Sequence, residues 1–138
     1  MKKQTIVNVL SKGFIIISSL SLLSVSLMAF VNPQSVMDLV NVKLTNVDAY
    51  SSIRGIYGGA GLTIFITLIY LLRNNISLGL IFLILLWGFY ALSRTITIFV
   101  EGKLGSFGTQ WLITESALCL IGIVLYQLRT NLIMIKEV

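Results

Sequence analysis

Four stretches of this chain, residues 14–31, 53–72, 76–100 and 111–128, are nearly free of charge and rich in Leu, Ile, Val and Phe. A helix needs roughly 20 mostly apolar residues to cross a hydrocarbon core about 30 Å thick. Each stretch is about that long, and a chain inside lipid must satisfy its own backbone hydrogen bonds, which favours helices. Composition agrees: 57% of the 138 residues are apolar and 11% are charged, where soluble domains carry about 25% charged residues. Such a chain cannot cover a water-facing surface. The expected fold class is therefore all-α, a polytopic membrane four-helix bundle forming one transmembrane domain over residues 1–138.

The breaks between spans are chemically marked. Asn32-Pro33 ends the first, because proline disfavours helical geometry in the residue before it. Arg73-Asn74-Asn75 parts the second from the third, and residues 101–110, with three glycines, part the third from the fourth. The first stretch also has marks of a signal peptide, in Lys2 and Lys3 as a basic start and Ser24-Val25-Ser26 as a small-x-small site. Its apolar run exceeds the roughly 7 to 15 residues usual in such peptides, so a retained span is expected. The serines at 18, 19, 21, 24 and 26 suit close packing against another helix.

Residues 33–52 form the longest connection. Val36, Met37, Leu39, Val40, Leu44 and Val47 gather on one side of a helical wheel, with Gln34, Asp38, Asn41, Thr45 and Asp48 opposite. Asn32 can cap a helix here and Pro33 suits its first position. This predicts a short amphipathic element at the outer interface or over the mouth of the bundle. An ordered loop is the equal alternative, since Val40, Val42 and Leu44 also alternate like a strand.

Short flanks rich in Lys and Arg face the cytoplasm. Lys2, Lys3, Lys12, Arg73, Arg129 and Lys136 fall on one side, against Lys43 and Lys103 on the other. Both ends of the chain are therefore expected inside. The formal +5 charge then belongs to the inner flanks, while Lys43, Arg54, Arg94 and Lys103 balance Asp38, Asp48, Glu101 and Glu115 in the outer half. A basic chain of this kind records topology and does not point to nucleic acid.

Three charges interrupt the spans: Arg54, Arg94 and Glu115. Each costs about 2.5 to 3.5 kcal/mol on the lenient insertion scale, so each needs a partner or a wet cavity. At about 1.5 Å of rise per residue, all three fall within roughly 10 Å of the outer boundary. Steps of three and four align Trp87, Tyr90, Arg94, Thr97 and Glu101 on span three, and Trp111, Glu115, Cys119, Gly122 and Tyr126 on span four. Span two carries Arg54, Tyr57, Gly58 and Gly61 on one face, and Gly55-x-x-x-Gly59 beside them would let a helix approach closely. A cluster of Arg54, Arg94 and Glu115 with Tyr57 and Tyr90 follows. It reads either as an interhelical staple or as a pocket for an amphiphile with an acidic or carbonyl head, such as a lipid, fatty acid or quinone.

The chain has no His and a single Cys, Cys119. The usual catalytic dyads, zinc ligation, CxxC exchange and intramolecular disulfides are thereby excluded. Cys119 itself reads as a small apolar filler. Neither a metal nor a cofactor is expected, and the balance leans away from an enzyme.

Arg54-Gly55-Ile56-Tyr57-Gly58-Gly59, an arginine late in span three, a glycine-containing loop and a glutamate early in span four resemble a family of small bacterial four-helix membrane proteins known as a domain of unknown function. The resemblance covers roughly residues 10–130. It implies the four-helix architecture, singles out Arg54, Arg94 and Glu115, and supplies no activity. Where that pattern has a proline soon after Gly102, this chain has Lys103-Leu104-Gly105. A fainter architectural likeness is to DoxX-type membrane proteins, which accompany respiratory or redox enzymes. Together with the charge bias, the resemblance implies a multi-pass protein of the inner (cytoplasmic) membrane.

The first functional expectation is a non-enzymatic accessory protein, or a binder of a membrane lipid or lipophilic small molecule. The alternative is a small oligomeric proton-coupled transporter or channel using Glu115, although small multidrug exporters carry their acid in the first helix. A glutathione-transferase-like enzyme lacks its Asn-x-x-Glu here. A homo-oligomer or a membrane protein partner is compatible with the sequence, and nucleic acid is not.

Overall fold

The computed structural model describes the backbone of residues 2–137 and the side chains of residues 3–132. In chain order the elements are α1 (Lys2–Val31), α2 (Pro33–Asp38), α3 (Val47–Ile53), a π-helical segment (Arg54–Ala60), α4 (Gly61–Asn74), α5 (Ile76–Val100) and α6 (Ser106–Glu137). No strand occurs among the described residues. The π segment joins α3 to α4 without a break, giving a single rod, Val47–Asn74. With α1, α5 and α6 this makes four helices long and apolar enough to cross a membrane, the all-α polytopic fold expected.

The helices overrun the apolar windows. α1 already begins at Lys2 and α6 at Ser106, so the last connection shrinks to residues 101–105. Once nucleated, a helix gains one backbone bond per added residue, and polar residues can prolong it past the lipid boundary. The side chains of Lys2, Lys136 and Glu137, which entered the charge count, lie outside the described residues.

Three asparagines set the helix starts by the same chemistry. Asn32 Oδ1 accepts from the Gln34 amide, with Pro33 at the first turn of α2. Asn46 Oδ1 accepts from Ala49 at α3, and Asn75 Oδ1 accepts from Leu78 at α5. Each satisfies an amide that has no intrahelical acceptor. α5 ends where the Glu101 and Gly102 amides both donate to the Thr97 carbonyl and Gly102 takes φ 104°. Only glycine adopts that conformation without strain. The turn is thus made by glycine, at the point where a proline was expected to follow.

Two compact units divide the chain, one of Met1–Ile15 with Asn74–Val138 and the other of Ile16–Arg73. In the first, α5 and α6 pack side by side. Contacts link Arg94 to Glu115, Gly88 to Cys119 and Ser77 to Arg129, so residue numbers fall on one helix as they rise on the other, and the pair is antiparallel. Leu80, Leu83 and Trp87 of α5, Leu125 of α6, and Val7, Ser11 and Ile15 of α1 are buried. At Gly122 a Cβ would stand 2.9 Å from Ile84 Cγ1 and 3.5 Å from the Phe14 ring. The absence of a side chain there sets how near the helices come.

In the second unit α1 packs against the π segment. The Ser26 hydroxyl donates to the Gly58 carbonyl at 2.6 Å. A Cβ on Gly58 would lie 3.1 Å from the Phe30 ring, and one on Gly61 would lie 3.0 Å from Ser26 Cβ. Beyond α1, Val36 and Met37 of α2 are buried with Ala29, and Met28, Leu44 and Ile53 pack against them.

The connection between α1 and α3 combines the two readings of it. α2 is a capped helix, but it stops at Asp38 because the chain turns through Asn41 at φ 57°. One side chain then pins the return: Gln34 Nε2 donates to Asp38 Oδ1 and the Val42 carbonyl, and Oε1 accepts from the Leu44 amide. Val36, Met37 and Leu44 turn inward as the wheel requires, whereas Leu39, Val40 and Val47 are exposed.

Polarity is distributed as lipid demands. Ser11, Ser18, Ser19 and Ser26 are buried, while Ile17, Phe89, Phe99 and Ile113 face outward. Small residues bring helices close where the surroundings are as apolar as the side chains. Ser21 and Ser24 of the same serine-rich run are exposed, and their hydroxyls fold back onto carbonyls of their own helix.

Candidate functional site

The arginine late in α5 and the glutamate early in α6 meet as a two-pronged pair. Arg94 Nε donates to Glu115 Oε2 at 2.7 Å and Nη2 donates to Oε1 at 2.9 Å. Both oxygens of one carboxylate thus face the fork of one guanidinium, the geometry that makes such bonds strong and directional. The Glu115 side chain is 2% exposed and that of Arg94 25%. Among the described residues it is the only ion pair. Removing either member would leave a charge without a partner in a medium that solvates it poorly.

Steps of three and four along α5 place aromatic neighbours below Arg94. Trp87 and Tyr90 meet edge to face, with ring centroids 6.0 Å apart at 85°. Trp87 is buried and its indole Nε1–H has no partner. An unmet buried donor costs about 1–3 kcal/mol. Tyr90 is 43% exposed. Further along the same contact, Cys119 Sγ donates weakly to the Ile84 carbonyl at 3.5 Å, and a Cβ on Gly88 would meet that sulfur at 3.4 Å. The thiol fills a space between the two helices.

Arg54 and Tyr57 belong to the other unit. Arg54 Nε donates to the Phe30 carbonyl at 3.2 Å, so the guanidinium satisfies an acceptor in the last turn of α1. A cation is favourable there, where unpaired carbonyls concentrate the negative end of the helix dipole. Tyr57 is exposed. The glycines differ in use: Gly58, with Gly61, marks the close approach to α1, whereas a Cβ on Gly55 or Gly59 would meet nothing within 4 Å.

Chemically the pair is a fixed neutral dipole. Both carboxylate oxygens of Glu115 are engaged in charge-assisted bonds to the guanidinium. Among the described residues no three His, Cys, Asp or Glu side chains are arranged to hold a metal ion.

A second polar junction escaped the sequence reading, which took Arg129 only as a topology anchor. Its Nε donates to Ser77 Oγ at 3.0 Å and its Nη1 to Asn8 Oδ1 at 2.7 Å. Nothing in the sequence marks it, because polar residues are ordinary at helix ends and Asn8 lies 121 positions from its partner.

A multi-span helical membrane protein with a buried Arg/Glu clasp is the class these features define. The chain belongs to the family described as Domain of unknown function (DUF4345), which matches it over residues 10–126 and so includes Arg54, Arg94 and Glu115. No curated protein and no solved structure matches the chain.

Proposed function

We propose that this membrane protein is non-enzymatic and holds a lipophilic small molecule at Arg94, either as a carrier or as an accessory subunit of a larger membrane assembly. The observation that carries this reading is the unfinished hydrogen bonding around that guanidinium. Its bonds to Glu115 occupy two of five N–H groups and a quarter of the side chain is exposed, while the Trp87 indole N–H two turns below on the same stripe is buried without an acceptor. Because Glu115 neutralises Arg94, a carbonyl or hydroxyl head suits the position better than a strong anion. Proton-coupled transport through Glu115 has less support, since a proton carrier must release its partner in each cycle. The excess of Lys and Arg in the inner flanks supports an orientation with both ends of the chain in the cytoplasm of a bacterial cell.

The test is to purify the protein in a mild detergent, extract it with organic solvent and identify the amphiphile that accompanies it stoichiometrically. Trp87→Phe and Arg94→Lys each remove donors without emptying the site, and both are expected to lower the amount recovered. Undiminished recovery from both variants, or none from the unaltered protein, would leave the clasp as a staple alone.

A further inference from the structure

We infer that the end of the first unit where α1 begins and α6 ends is a binding site for one anionic phospholipid, with the phosphate at Arg129 and an acyl chain in the adjoining apolar groove. Two neighbouring cavities carry the inference. A cavity of about 340 Å³ is lined by Gln4, Thr5, Val7, Asn8, Arg129 and Leu132. Beside it a cavity of about 250 Å³ is lined by Ile6, Val7, Leu128 and Leu132, with Lys3 and Asn131 at its edge. They share Val7 and Leu132, so polar and apolar compartments adjoin.

The electrostatics of the polar compartment are one-sided. Arg129 is held by two neutral acceptors, Ser77 Oγ and Asn8 Oδ1. Those bonds use two of its five N–H groups, and three remain. Asn8 accepts at Oδ1 and so keeps its amide NH₂ as a donor, and Gln4 supplies another at the rim. No carboxylate is among the described residues that line either cavity, in contrast to Arg94, whose charge Glu115 neutralises. A fixed guanidinium with spare, diverging N–H groups matches the oxygens of a phosphate. Lys3 at the edge adds a second positive charge.

The apolar compartment decides between a lipid and a free phosphate. A free anion would use the first cavity and leave the second without a role, whereas a phospholipid fills both. Basic pockets between spans are suited to acidic headgroups for this reason. Gln4, Asn8, Arg129 and Leu132 all lie outside residues 10–126, over which the chain matches the family.

The experiment is native mass spectrometry of the full chain in detergent, titrated with phosphatidylglycerol or phosphatidylcholine of identical acyl chains. The unaltered protein is expected to favour phosphatidylglycerol by about fivefold or more, the scale of one basic side chain at an anionic surface. Arg129→Gln should abolish the preference. Asn8→Asp is the sharper variant, because it keeps the bond to Arg129 and pairs the guanidinium with a carboxylate; it should fold and lose the preference. Lys43→Gln, remote in sequence and exposed, should retain it. Equal retention of the two lipids, or a preference that survives Asn8→Asp, overturns the inference. Displacement of phosphatidylglycerol by millimolar inorganic phosphate overturns the lipid assignment in favour of a free-anion site.

Discussion

The two compact units hold their helices together by different means. Between α5 and α6 the specific tie is ionic, a bidentate Arg94–Glu115 pair with its acid fully enclosed. Between α1 and the π segment it is steric, a close approach over Gly58 and Gly61 with one hydroxyl bond from Ser26 to Gly58. In lipid neither contact gains from excluding water, so helices must associate through packing or polar bonds. The ionic tie fixes register at one point and fails abruptly when one partner is lost. The steric tie is spread along a seam and degrades by degrees.

That contrast can be broken experimentally, beginning with its strongest term. Arg94→Ala should destabilise the fold by about 3–5 kcal/mol, as expected when a buried ion loses its partner. Adding Glu115→Ala to the same chain should restore most of the loss. Unfolding in mixed micelles followed by circular dichroism reads both, and a double variant as unstable as the single would show that the pair acts through something other than charge.

At the seam, Gly58→Ala and Gly61→Ala should each cost about 1–3 kcal/mol, because the added methyl meets Phe30 or Ser26 at about 3 Å. Gly55→Ala and Gly59→Ala are the internal controls. Their Cβ positions are open, so stability should be unchanged or rise by at most about 1 kcal/mol through helix propensity. Equal losses at all four glycines would refute the steric account.

A smaller effect is expected at the hydroxyl: Ser26→Ala should cost about 0.5–1.5 kcal/mol in the same assay. Smallest of all is Gln34→Ala, which removes a half-buried clamp. Global stability should move by no more than about 0.5 kcal/mol. Hydrogen exchange at the Leu44 amide should nevertheless accelerate, since Gln34 Oε1 is its acceptor; an unchanged rate would mean that the loop holds without the clamp.

The four spans and the Arg94–Glu115 pairing were legible in the sequence for physical reasons. Apolar length is a direct reading of membrane thickness, and a charge inside such a span requires a partner. The local contacts of Arg54 were harder to read. The wheel that set it beside Gly58 assumed α geometry, but Arg54–Ala60 is π-helical, with backbone bonds to the fifth residue along. Three glycines in six residues marked the place as unusual without revealing the wider turn. The wheel also could not anticipate the Phe30 carbonyl as the acceptor for Arg54. Gln34 and Arg129 stayed hidden because their partners are chosen by the folded path of the chain: a loop that doubles back on itself in one case, and the meeting of distant helix ends in the other.

The chain contains two tryptophans, and their settings make it its own optical gauge. Trp111 stands at the outside of α6 beside Phe107, whereas the Trp87 indole is enclosed and its N–H is unmet. An excited indole whose N–H gains an acceptor emits at longer wavelength. Arrival of a carbonyl-bearing guest near Arg94 should therefore shift the Trp87 emission to the red while Trp111 stays constant, and a Trp111→Phe chain would report that single event without any added label.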